Sequence, residues 1–209
     1  MATRQDKFER WRRRALPPTA TLAQAVLDDV VPLFTDKGFA WHADYATGRK
    51  RAVAANTIAL QRRDGEAWPT VEISFDHDSR PSLQVIFAWL PAQCYVASGA
   101  GTWDRIPREQ ATVIDGPAVF SLCKGRGGSN DHIYGLFGLS QSLIGLVLDR
   151  HKRLQGEVAQ LQDDCRWLLG VLAAPMPKRW LDEGLRMAQV GEHARLLGKE
   201  RLALYPDIA

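Results

Sequence analysis

The sequence is poor in cysteine. Three residues in 209, Cys94, Cys123 and Cys165, lie far apart, are odd in number and form no CxxC pair. A disulfide scaffold is thereby excluded, and the thiols read as reduced and mostly buried, as in a cytosolic protein. Long apolar runs are also missing. Residues 81–103 carry no charge but contain Pro81, Pro91, Gln84 and Gln93; residues 132–148 are broken by Gly135, Gly138 and Ser140-Gln141-Ser142. Neither is a continuous spanning helix. The charged N-terminus runs into Pro17-Pro18 without the apolar core of a signal peptide. The expectation is a cytoplasmic protein with no membrane span.

Charge of one sign is scarce outside the N-terminus. The formal net charge is +3, and residues 1–14 alone supply a net +4, leaving the rest of the chain near −1 by difference. A strongly basic body, as a dedicated nucleic-acid domain has, is therefore absent. Internal repeats are missing too, and Gly125-Arg126-Gly127-Gly128-Ser129 is the one low-complexity stretch. What remains is ordinary: 45% hydrophobic and 24% charged residues, with enough length for a real core.

The pattern predicts a basic arm over 1–18 and one α+β domain over 19–209, with a helix and sheet in 19–130 and a helical part in 131–209. Phe8, Trp11 and Ala15 recur at helical spacing inside the arm. Thr21-Leu22-Ala23-Gln24 fits a capping box opening a helix that Pro32 should kink and Gly38 should stop. Strands are expected at Thr57–Arg62, around Val71-Ile73-Phe75, from Leu83 to Trp89, and at Cys94–Ala97, Ala111–Ile114 and Ala118–Cys123, with Asp64-Gly65 and Asp115-Gly116 as turns. Beyond residue 130, the spacing of Val147, Leu154, Val158, Leu161, Cys165, Leu168 and Leu172 predicts a long helix with a near-heptad seam. A second helix is expected over 178–197. The fold is thus an antiparallel sheet of about five strands, packed by an N-terminal helix and two C-terminal helices.

Candidate chemistry is sparse. The loop Lys124–Asp131 lies between a strand and a helix, where backbone amides favour anions, and Lys124 and Arg126 suit such a site; a Walker loop, however, needs its lysine after the last glycine. Gly99-Ala100-Gly101 lacks the third glycine of a dinucleotide fingerprint, and Gly138-Leu139-Ser140-Gln141-Ser142 lacks the last glycine of a nucleophile elbow. Asp76-His77-Asp78 reads as a solvated turn, because adjacent turn residues rarely converge on one ion. Glu72 and Asp104 are carboxylates that nothing in the sequence brings together. No catalytic residue, metal or cofactor is implied, although a site assembled from distant residues stays open.

The sharpest feature is Arg10-Trp11-Arg12-Arg13-Arg14. Its guanidinium groups suit phosphates and Trp11 a nucleobase, an anionic surface or an acidic partner; the plainer reading is a solvated terminus. A second basic cluster joins Arg49-Lys50-Arg51 to Arg62-Arg63. Among seven tryptophans, Trp89 and Trp167 read as core, whereas Trp41, Trp68 and Trp103 lie in or beside loops, and loop tryptophans favour interfaces.

The run Asp29-Val30-Val31-Pro32-Leu33-Phe34-Thr35-Asp36-Lys37-Gly38-Phe39, followed by a polar stretch and strands, resembles the start of the bacterial family of unknown function numbered 4304, over residues 22–90 or so. The resemblance implies a helix ending in Lys-Gly-Phe, an antiparallel sheet and C-terminal helices, with no catalytic residues to transfer. Some small α+β families of this kind sit in defence loci as partner-binding proteins.

Taken together, these features point to a non-enzymatic macromolecule-binding protein acting by protein–protein contact, in its concrete form a bacterial immunity or defence protein. The binding residues expected are Arg10, Trp11, Arg12, Arg13, Arg14, Trp68, Trp103, Lys124 and Arg126. Nucleic acid bound by the N-terminal arm is the alternative, an enzyme with an unrecognised site the third reading. Helix 143–172 offers a homodimer seam, although the chain's own sheet is the better partner for it.

Overall fold

A computed structural model describes residues 3–42, 53–76, 81–97, 102–125, 133–135, 143–176 and 203–205. In chain order these form helices α1 (Arg4–Arg12), α2 (Pro17–Asp29) and α3 (Val31–Thr35), then strands β1 (Ala40–Trp41), β2 (Thr57–Gln61), β3 (Ala67–Phe75), β4 (Ser82–Pro91), β5 (Gln93–Ala97) and β6 (Trp103–Pro107). Two 3-10 turns follow, Arg108–Gln110 and Val113–Asp115, then β7 (Phe120–Ser121), β8 (Tyr134–Gly135) and helix α4 (Leu143–Leu172). The main sheet has the order β1-β2-β3-β4-β7, with β8 also paired to β4, and β5 and β6 form a separate hairpin. All pairings are antiparallel, so the class is the α+β one that the sequence predicts.

The period-two alternation of β3 and β4 sorts the side chains between two faces. Val71, Ile73 and Phe75, with Leu83, Val85, Phe87 and Trp89, enter the main core beside Phe8, Leu22, Val26 and Phe34 and the α4 residues Leu161, Cys165 and Leu168. α4 packs on α2, α3 and β8. From Leu154 onward its seam is buried or half-buried within the chain's own core, so this apolar stripe is already covered. Trp167 lies off the seam and is 39% exposed, contrary to its expected place in the core.

The helix before β1 ends as Lys-Gly-Phe should. Gly38 adopts φ +82°, the Phe39 N–H donates to the Phe34 carbonyl at 3.1 Å, and the Gly38 N–H to that of Thr35 at 3.0 Å. This is a Schellman motif, closed by the Phe34–Phe39 edge contact at 5.5 Å. The start differs from the expected capping box. α2 begins at Pro17, with prolines in its first positions, and the Thr21 hydroxyl donates back to the Pro17 carbonyl at 2.8 Å. Pro32 separates two helices at Val30 rather than kinking one.

The opposite face of the sheet is covered by residues 93–97 and 102–116. Ala88 and Leu90 pack there with Cys94, Ile106, Ala111 and Val113. Gly116 sits so close that a Cβ on it would lie 2.9 Å from a Leu90 methyl carbon. The strand expected at Ala111–Ile114 is instead a 3-10 turn at Val113–Asp115. The Asp115 carboxylate accepts from the Thr112 N–H at 2.9 Å and its hydroxyl at 2.7 Å, a local pairing that competes with a ladder. Of the expected Ala118–Cys123 strand, only Phe120–Ser121 pairs. The segment 99–101, the elbow-like 138–142, the basic run 49–51 and the helix expected over 178–197 lie outside the described residues.

Residues expected as a separate arm belong to the domain. In α1, Phe8 is fully buried and Trp11 packs at 5.3 Å from Phe8 and 5.6 Å from Phe75. Arg4 is 3% exposed, and its guanidinium donates to the carbonyls of Val53, Ala54 and Thr57, the last at 3.0 Å. It thereby ties the N-terminus to the approach of β2. Arg4→Met keeps the stem but removes these charged hydrogen bonds; urea unfolding should show a loss of about 2 kcal/mol or more. Arg13→Ala, at an exposed position, should stay within about 0.5 kcal/mol of the parent.

Candidate functional site

Trp68 is the second residue of β3, on the face away from the main core, opposite Leu90. It is half-buried and flanked by two cations: the Arg108 guanidinium carbon lies 4.1 Å from the centre of its ring, and that of Arg63 5.8 Å. Arg108 is fixed in turn. It opens the first 3-10 turn, and its Nη1 donates to the Glu66 carbonyl at 2.7 Å and to the Gly65 carbonyl at 3.4 Å. The β2–β3 turn is held from the other side by Arg62, which pairs with Asp64 at 2.8 Å, lies 5.5 Å from the Phe39 ring and donates to the Leu172 carbonyl at 3.1 Å. Gly65 supplies the φ of +71° that the turn requires. The result is an indole clamped by an anchored guanidinium, with exposed Arg63 beside it. Arg63 makes no ion pair among the described residues.

The other expected binding residues do not join this group. Trp103 stands at the far end of β6 from Arg108. In α1, Arg12 pairs with Glu9 at 2.7 Å and the Arg10 Nε donates to the Asp6 carbonyl at 3.3 Å, while Trp11, half-buried, packs on Phe8 and Phe75. Arg13 and Arg14 remain exposed. Arg126 lies outside the described residues.

Lys124 is neutralised within the molecule. Its Nζ donates to both Glu157 oxygens, at 2.6 and 2.9 Å. Glu157 also accepts from the Gly135 N–H at 3.2 Å. Two turns further along α4, Asp164 is fully buried and accepts from the Gly125 N–H at 3.0 Å, the Tyr134 hydroxyl at 2.9 Å and Gln160 at 3.1 Å. Both flanks of the glycine-rich segment are thus fastened to α4 by carboxylates. Carboxylates facing these backbone amides are the reverse of what an anion site offers. Burial, helped by Asp164, raises the Tyr134 hydroxyl, the Cys165 thiol and the Cys123 thiol above their ordinary pKa values, so none is an activated nucleophile.

Glu72 is the misplaced carboxylate. Alternation assigns it to the solvent side of β3, yet the 3-10 turn lies over it and leaves it 7% exposed, with the Val113 N–H donating to Oε1 at 3.3 Å. Burial raises its pKa from 4.5 to about 7; the Val113 bond and Arg4 oppose the rise, and Asp115 adds to it. No sequence signal near Glu72 announces this, because its cover comes from about forty residues further along. The clamp on Trp68 was equally hidden, since Arg108 lies in what reads as a loop. No family model, curated protein or solved structure matches the chain.

Two measurements follow from this geometry. Between pH 4.5 and about 7 the folded chain retains a proton on Glu72 that the unfolded chain has released, so this group makes stability fall as pH rises through that window. Glu72→Gln should flatten the fall and leave the variant more stable than the parent at pH 8, read from denaturant midpoints. Asp164→Ala strips the acceptor from the Tyr134 hydroxyl and the Gly125 amide and should cost about 3 kcal/mol, whereas Lys124→Ala, breaking a partly exposed pair, should cost about 1 kcal/mol or less.

Proposed function

We propose that the protein is a non-enzymatic binding protein that engages an acidic protein partner through the surface centred on Trp68. The observation that carries this reading is the Trp68 indole with the guanidinium carbons of Arg108 and Arg63 at 4.1 and 5.8 Å from its ring centre. Trp and Arg dominate the energetics of protein interfaces, and an arginine already fixed by two backbone carbonyls loses little further freedom on binding. An acidic partner is proposed because Arg63 is exposed and makes no ion pair among the described residues. The concrete setting we propose is bacterial immunity or defence in the cytoplasm, supported by the resemblance over residues 22–90 to a family of small α+β proteins.

The nucleic-acid alternative has less support in the geometry. Trp11 is partly taken up by packing on Phe8 and Phe75, and Arg12 is paired with Glu9. The discriminating experiment is a tagged capture from bacterial lysate, with and without nuclease, comparing the parent, Trp68→Ser, Arg63→Glu and Arg13→Glu/Arg14→Glu. The expected outcome is a nuclease-resistant protein partner whose affinity drops about thirtyfold with Trp68→Ser or Arg63→Glu, while the α1 double variant binds normally. Capture that disappears with nuclease, or with the α1 double variant alone, would establish the alternative.

A further inference from the structure

The cover over the second face of the sheet is tied down by two buried titratable side chains. By continuation of the β1–β2 register, His42 stands opposite Ala59, and Ala59 opposite Glu72. His42 and Glu72 therefore share one cross-strand row with a small residue between them, and both reach the same short strap. The His42 ring donates from Nε2 to the Ala111 carbonyl at 2.9 Å, and Glu72 Oε1 accepts from the Val113 N–H at 3.3 Å. They are 2% and 7% exposed. The next row on that face, Thr57–Ser74–Gln84, lies outside the cover and, with Asn56, lines a cleft of about 510 Å³. Gln84 is exposed there, so solvent reaches the row next to Glu72.

The strap has little else to hold it. Between Ala111 and Gly116 the backbone bonds are local: the N–H groups of Ala111, Asp115 and Gly116 donate to the carbonyls of Arg108, Thr112 and Val113. Among the described residues, no backbone ladder bond joins this stretch to the sheet. Its further ties are the Tyr205 hydroxyl, donating to the Asp115 carbonyl at 3.0 Å, and the packing of Ala111 and Val113 on Ala88 and Leu90. Ile114, at its crest, is 43% exposed. A segment with so few backbone bonds to its neighbours opens at less cost than the sheet beneath it.

Charge decides whether the strap stays down. Facing Glu72 are Arg4 from α1, His42 after β1 and Asp115 on the strap, whereas its row neighbours on β2 and β4, Ala59 and Ile86, are uncharged. A protonated Glu72 accepts the Val113 bond without burying a charge. An ionised one, dry and beside Asp115, is stabilised by exposure to water. We propose that residues 111–116 form a proton-controlled latch, closed over the sheet while Glu72 is protonated and released as it ionises. Arg108, just ahead of this strap, lies on Trp68, so the latch borders the docking surface. Its use in docking rests on the partner-binding reading; the latch itself belongs to the free chain.

The test is amide hydrogen exchange of the full chain by NMR, with rates corrected for the intrinsic pH dependence of exchange. The Val113 amide should be at least about tenfold less protected than those of Val71 and Ile73 in β3, and less sensitive to low urea. Its protection should fall at least about tenfold from pH 5 to pH 7, where the closed form keeps a proton that the open form has released. Glu72→Gln keeps an acceptor for the Val113 N–H and should reduce that change to under about threefold, while His42→Gln should retain the parent's fall. Val113 protection equal to that of β3 with the same urea dependence, no fall in the parent, a fall undiminished in Glu72→Gln, or one lost in His42→Gln would overturn the proposal. No partner is present in these measurements, so their failure leaves the partner-binding reading standing, and a failed capture leaves the latch.

Discussion

Everything in this fold is hung on the β3–β4 pairing, nine residues in unbroken antiparallel register and buried on both faces over most of its length. One face is apolar and takes the helices. The other carries Thr70, Glu72 and Ser74, and no apolar layer can cover polar groups without leaving them unsatisfied. Residues 112–116 meet that constraint with backbone rather than with side chains: a 3-10 turn places the Val113 N–H on Glu72, and Gly116 allows the turn to approach Ala88 and Leu90 closely. Where this cover ends, the polar row is left open as the cleft with Asn56. At the opposite end, Trp68 is edged by the residue that begins the cover, Arg108.

Several cations in this chain are spent on holding it together. Arg4 grips the approach to β2, Arg62 the carbonyl end of α4, Arg108 the β2–β3 turn, and Lys124 a carboxylate of α4. Net charge and basic runs therefore overstate what is available to a partner. Among the described residues, exposed guanidinium groups outside these pairings include Arg63 beside Trp68, Arg10, Arg13 and Arg14 in and after α1, and Arg105 on β6. Beside Arg63 stands Trp68, whereas Trp11, half-buried, packs on Phe8 and Phe75.

What was legible in the sequence is what depends on local period. Alternation located β2, β3 and β4, heptad spacing located α4, and Lys37-Gly38-Phe39 marked the helix end, because the left-handed residue and the apolar contact after it are adjacent in the chain. What was hidden depends on distant segments. β1, β6 and β8 are short or carry charges and prolines, and are strands because a partner lies alongside. Ala111–Ile114 reads as a strand by composition, but the Thr112–Asp115 pairing turns it. Arg4 looks like one more charge in a basic run until three carbonyls from residues 53–57 are seen around it. The candidate surface was half legible: Trp68 stood out by type, whereas neither guanidinium beside it could be assigned to it from sequence.

The most direct test of the central claim, that the Trp68 end of the sheet is where a partner docks, is hydroxyl-radical footprinting of the protein alone and in its captured complex. Protection at Trp68 and along residues 63–67, with the oxidation of exposed Trp167 unchanged, is the result expected. Protection confined to α1, with Trp68 as reactive as in the free protein, would contradict the account.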